Sequence, residues 1–236
     1  MAFDRTNTGV PGSEFPVWNR FNNNMVGSKH VFPVEVADAE RRAVAGLIAR
    51  GAARNALKAG DRIPAIVLSD SNGRIVEACD LLARGPLVAA FHRGMWCPFG
   101  NLALQALEVA RAEIELRGAS VVAISQQTAS NARKSKRLNG LGFPILVDPG
   151  GDVVARFGLR WTSPNYLQEA YRRIGINLAE INGDGSSSLP IPALFVVGTD
   201  GVVSYAEIDP DVTHSWDPSD VFPVLDLLKG VGRRAW

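Results

Sequence analysis

Five consecutive apolar residues, Leu87-Val88-Ala89-Ala90-Phe91, lead through a four-residue loop into Trp96-Cys97-Pro98-Phe99-Gly100. An apolar run of that length reads as a strand buried on both faces. The loop His92-Arg93-Gly94-Met95 carries a glycine hinge. Pro98 suits a first helical position, where the missing N–H costs nothing. Leu104, Leu107, Ala110 and Ile114 then recur at helical spacing, with Glu108, Arg111 and Glu115 placed to pair on the polar side. Gly118 supplies the stop. The segment is therefore a strand, a turn and a helix, with Cys97 at the joint.

That position gives the thiol a chemistry. Unpaired N–H groups and the dipole at a helix start favour negative charge, which lowers a thiol pKa, and the thiolate is the nucleophile. Arg93 adds a nearby cation and Trp96 a wall. The competing reading is a small buried hydrophobe, the state of most free cysteines. Cys79, in Glu77-Ala78-Cys79-Asp80-Leu81, lacks a helix-start proline, and Asp80 raises its pKa. It reads as structural, with a resolving role left open.

The rest of the chain alternates. Residues 1–33 are rich in Asn, Gly, Pro and Ser without a sustained period, and predict an irregular arm. Residues 37–50 predict a helix stopped by Gly51. Strands are expected at 65–68, 120–125 and 144–148, and helices at 128–138 and 153–158. Between 161 and 188 the pattern predicts one helix, 166–174, and a Gly/Ser-rich loop from 182. Residues 194–197 and 202–205 flank Gly198-Thr199-Asp200-Gly201 as a hairpin, and a last helix starts at Asp217-Pro218. Parallel units followed by an antiparallel hairpin imply an α/β sandwich with a mixed sheet. The expected division is 1–58, arm and helix, and 59–236, the main domain.

The 236 residues are 46% hydrophobic, enough for a full core, and the net charge of +1 gives no electrostatic case for nucleic acid or an anionic membrane. No apolar run approaches the ~18 residues of a membrane span, and the first residues carry no secretory signal. Two cysteines make no disulfide framework, so a reducing cytoplasm is the expected compartment. His30, His92 and His214 show no metal-ligand spacing with them, and no metal or cofactor is implied.

Four segments occur in a telling order: Gly60-Asp61-Arg62-Ile63-Pro64, the stretch from Phe91 to Pro98, Phe143-Pro144-Ile145-Leu146-Val147-Asp148, and Ile191-Pro192-Ala193-Leu194-Phe195. Over roughly residues 40–230 the chain resembles the alkyl hydroperoxide reductase / thiol-specific antioxidant superfamily, in its bacterial peroxiredoxin-like branch. The resemblance implies a thioredoxin-like three-layer sandwich around a central mixed sheet, with the N-terminal helix and arm added. It makes Cys97 the redox thiol and Pro192, or else Pro190, the cis-proline that would present the backbone of Ile191 to the sulfur. It also implies a homodimer, a peroxide substrate and a thiol reductant. Three departures qualify it. Gly100 stands where close relatives carry a second cysteine, so no dithiol cycle closes. Ala90 and Gly94 stand where a typical peroxiredoxin has Pro and Thr or Ser. No arginine near Pro192 matches the distant one that supports the thiolate, which leaves Arg93 to substitute.

The expected activity is thus a one-cysteine peroxidase, with Cys97 and Arg93 catalytic. His92, Gly94, Trp96, Pro98, Phe99, Ile191 and Pro192 would form the substrate pocket. A monothiol oxidoreductase working by mixed disulfides, and a non-catalytic binding protein on the same fold, are the alternatives.

Overall fold

The computed structural model describes residues 32–214 and 216–232. The arm expected at the N-terminus falls, but for its last two residues, outside that range. Seven strands form one sheet. They are β1 (Val67–Asp70), β2 (Ile75–Glu77), β3 (Leu87–Phe91), β4 (Ser120–Ser125), β5 (Ile145–Val147), β8 (Ala193–Val197) and β9 (Val203–Ile208), in the order β2-β1-β5-β4-β3-β8-β9. β3, β4 and β5 pair in parallel; the remaining pairs are antiparallel. The mixed sheet follows from chain economy: helical crossovers join the parallel strands, and tight turns at Asn72-Gly73 and Asp200-Gly201 join two of the four antiparallel pairs, β1–β2 and β8–β9.

The central strand β3 is buried along its whole length. Leu87, Ala89 and Phe91 join one apolar cluster and Val88 and Ala90 the other, as the two-residue period of a strand requires. On the second face lie α3 (Pro98–Leu116), α4 (Ala129–Leu138) and α8 (Val221–Gly232). On the first lie α1 (Val34–Ala49), α2 (Ala78–Leu82), α5 (Asp152–Arg156), α6 (Asn165–Arg173) and α7 (Leu178–Asn182). These are the three layers that the family resemblance implied. α1 is integral to the first: Val36, Ala43 and Leu47 are buried in the same cluster as Phe91, Phe157 and Phe195. Those three rings pack with centroids 4.8–5.7 Å apart.

The segment after α1 is pinned to the core by close backbone approach. Leu57 N–H donates to Phe157 O, and Gly158, at φ +72°, lies so near Asn55 that a Cβ would stand 2.1 Å from its carbonyl oxygen. Only glycine fits there.

The structure departs from the sequence reading mainly at 161–188. Instead of one helix and a loop, this stretch holds α6, α7 and half of a two-stranded ribbon, β6 (Arg160–Thr162) with β7 (Ser188–Pro190). Three-residue strands carry too little pattern to be seen in sequence. α8 begins at Val221, because Pro218–Asp220 forms a separate 3₁₀ turn in which Ser219 N–H donates to Asp217 Oδ1 as the cap.

Candidate active site

Cys97 occupies the N-cap of α3, with Pro98 as the first helical residue. Its sulfur makes no capping hydrogen bond, yet the Gly100 and Phe99 amides lie close enough to favour the thiolate. The turn before it is held from both sides. Met95 N–H donates to Gln127 Oε1 at 3.0 Å, Asn101 Nδ2 donates to Met95 O at 2.8 Å, and Trp96 Nε1 donates to Arg93 O at 3.1 Å. These bonds fix where the thiol stands before any substrate arrives.

The expectation of an ionised, partly exposed thiol is corrected here. Cys97 is only 2% exposed, and burial pushes its thiol pKa up. The Arg93 charge and the two amides pull the other way, and Glu40 pushes up again, so the balance stays on the thiol side. Sequence shows a helix start but not the depth at which it lies, and desolvation of a charge outweighs a helix terminus.

Arg93 is buried to the same depth. Its Nη1 donates to both carboxylate oxygens of Glu40 at 3.1 Å. Tyr171 hydroxyl donates to Glu40 Oε1, and the guanidinium carbon lies 5.4 Å from the centre of the Trp161 ring. Tyr171 in turn packs edge-on against Trp96 at 4.9 Å, and Phe32 touches both Tyr171 and Phe99. α1, the active-site turn and α6 therefore meet on one buried ion pair. Arg93 Nε and Nη2 have no hydrogen-bond partner among the described residues.

His92 completes the cluster. Its Nδ1 accepts from Gly94 N–H at 3.3 Å, which leaves the proton of the neutral ring on Nε2. Nε2 is buried and has no partner among the described residues. Burial lowers the His92 pKa from 6.5 to about 4, so the ring is neutral at pH 7. The unfolded chain binds this proton more tightly than the folded one, so stability is fully present above the ordinary histidine pKa and is lost as pH falls towards 4. The loss expected by pH 4 is about 3 kcal/mol. Urea unfolding of wild type and His92→Gln between pH 7 and 4 checks this: the wild-type midpoint falls more steeply, and parallel curves would refute the assignment.

Phe91, His92, Arg93, Cys97, Phe99, Gly100, Ala103 and Pro192 line a small, partly open cavity of about 20 Å³, together with Val212, His214 and Trp216. That volume holds about one water-sized molecule. A Cβ built on Gly100 would stand 3.7 Å from both Cβ and Sγ of Cys97, in ordinary contact.

The structure thus gathers Cys97, Arg93, His92, Phe99 and Pro192 around one cavity. Gly94, Trp96, Pro98 and Ile191 support the turn or the adjoining core and do not line it. The cis-proline expectation is also corrected: no peptide bond among the described residues is cis, and Pro192 meets the cavity in the ordinary trans form. Cys79 is exposed on α2, its sulfur 3.5 Å from a Glu77 carboxylate oxygen. Desolvation, the Glu77 hydrogen bond and the Asp80 charge push its thiol pKa up. The sequence reading missed Glu40, Tyr171, Trp161 and the contribution of Val212, His214 and Trp216. Glu40 did leave a signal, a carboxylate between Val36 and Ala43 on the apolar stripe of α1. Among the described residues no group of three His, Cys, Asp or Glu could hold a metal ion, and no helix is long and apolar enough to cross a membrane.

Comparison with known proteins follows the same lines. The thiol-disulfide oxidoreductase ResA of Halalkalibacterium halodurans is 26% identical over 108 residues, 45% of this chain and 60% of that protein. The chain thus spans less than two thirds of that relative. Peroxidoxin BcpB from Mycobacterium tuberculosis superposes with a TM-score of 0.57 at 23% identity, covering 74% of this chain and 98% of the other. Xylella fastidiosa PrxQ gives 0.55 at 15%, over 75% and 98%. At these identities the superpositions speak for the thioredoxin-like fold of the peroxiredoxins alone. The sequence model of the AhpC/TSA family matches residues 59–206, more than half of the chain, from ahead of β1 into β9 of the final hairpin. By that match the chain belongs to the AhpC/TSA family.

Proposed function

We propose that this protein is a one-cysteine thiol peroxidase that reduces hydrogen peroxide or a small alkyl hydroperoxide. The observation that carries the reading is the cavity of about 20 Å³ at Cys97. Such a space suits the small reacting end of a peroxide better than a protein disulfide. The Cys97 thiolate attacks the terminal oxygen, the O–O bond breaks, and the leaving alkoxide or hydroxide takes a proton. The free Arg93 donors and the Nε2–H of neutral His92 are the groups suited to hold the two oxygens, His92 standing in for the hydroxyl that Gly94 lacks. The sulfenic acid then condenses with an external thiol, releasing water, and a second thiol displaces it as a disulfide. A homodimer and a reducing cytoplasm belong to the same proposal.

The test is chemical. Peroxide-treated Cys79→Ser protein, trapped with dimedone and analysed by mass spectrometry, is expected to carry one sulfenate adduct on Cys97. An unmodified Cys97 would sink the reading. The likeness to a thiol-disulfide oxidoreductase and the missing hydroxyl at Gly94 favour a second reading, mixed-disulfide exchange. Fast reaction with glutathione disulfide and free-thiol rates with peroxide would select it.

A further inference from the structure

We propose that Glu40 is a positioning residue that restrains the Cys97 thiol by holding Arg93 in a buried ion pair, so that α1 sets how reactive the site is at rest. The inference rests on the reading of Cys97 as the reacting thiol. Its grounds are geometric. Glu40 lies on α1, ahead of the segment matched by the family model, and points into the cluster that surrounds the active-site turn. Both of its carboxylate oxygens are 3.1 Å from Arg93 Nη1, and the side chains of the pair are 1% and 11% exposed. At that depth screening by solvent is weak, so a carboxylate in contact with the guanidinium subtracts from its field at a sulfur beside it.

The other groups facing Cys97 do not replace this effect. His92 is neutral, the Tyr171 hydroxyl is held in its protonated form by burial, and His214 is exposed across the cavity. Arg93 is thus the cation that favours the thiolate, and Glu40 the anion that opposes it. A chain that kept Arg93 but lacked Glu40 would carry a more acidic thiol.

The test titrates Cys97 in a Cys79→Ser background by the pH dependence of iodoacetamide alkylation. Glu40→Gln keeps an oxygen for Arg93 and Tyr171 but removes the charge. It is expected to lower the thiol pKa by about one pH unit or more, a tenfold gain in thiolate at pH 7. Because a more acidic thiolate is a weaker nucleophile, the alkylation rate at pH 7 rises about threefold. Tyr171→Phe leaves the charge of Glu40 in place and is expected not to lower the pKa, whereas mere loosening of the network would shift both variants alike. Should Glu40→Gln not fold, Glu40→Asp, with the carboxylate drawn back from Arg93, gives a smaller downward shift. A folded Glu40 variant with an unchanged or raised thiol pKa overturns the proposal. An unmodified Cys97 in the dimedone experiment would remove the peroxidase reading while leaving this titration to stand or fall by itself.

Discussion

Cys97→Ser is expected to consume hydrogen peroxide no faster than buffer, while Cys79→Ser retains the wild-type rate. The serine oxygen occupies the same N-cap of α3 but is not ionised at neutral pH and cannot accept an oxygen atom from peroxide. A loss on the order of 10³-fold or more is the scale expected when a covalent nucleophile is deleted. The hydroxyl is smaller than the thiol and stands near the amides of Phe99 and Gly100, so the fold survives with a cost of about 1 kcal/mol. Stopped-flow peroxide consumption with saturating dithiothreitol measures the effect. Retained turnover in the folded serine variant would move the chemistry away from this site.

The second large effect falls on Arg93. Arg93→Met removes the charge that favours the thiolate and strands Glu40 in the interior, with the Tyr171 hydroxyl as its one remaining partner among the described residues. Breaking a buried pair from one side typically costs about 3–5 kcal/mol, since the orphaned charge keeps its desolvation penalty. A fall in the unfolding midpoint should accompany a rate loss of about 10²-fold, the usual scale for one stabilising donor. The double variant Arg93→Met with Glu40→Met separates the two roles. Its stability recovers most of the way, because an apolar pair of similar volume fits the same space, while its peroxidase activity stays low. Recovery of both would mean that Arg93 serves the fold alone.

Much of this architecture was written in local pattern. The apolar run of β3, the proline after Cys97 and the Asp200-Gly201 turn each carry a period or a backbone constraint that a single stretch can display. The site was legible only at its hinge. Cys97, Arg93 and His92 stand within six residues of each other, so their proximity needed no tertiary information. Glu40 and Tyr171 reach the Arg93 ion pair from 53 residues before it and from α6, in the first half of the 161–188 stretch. That meeting is created by packing. The ionisation of the thiol was misjudged for a related reason: charge neighbours can be counted along a chain, whereas burial is a property of the whole fold.

One detail of α3 reaches beyond the present activity. A β-carbon at position 100 would lie 3.7 Å from that of Cys97, within the separation of roughly 3.5–4.5 Å that bridged half-cystines adopt. The backbone therefore retains the spacing of a two-sulfur redox turn although one of the sulfurs is a hydrogen atom. Under the proposed one-cysteine cycle, a single glycine codon separates a site that would depend on a borrowed thiol from one that could resolve its own oxidised state.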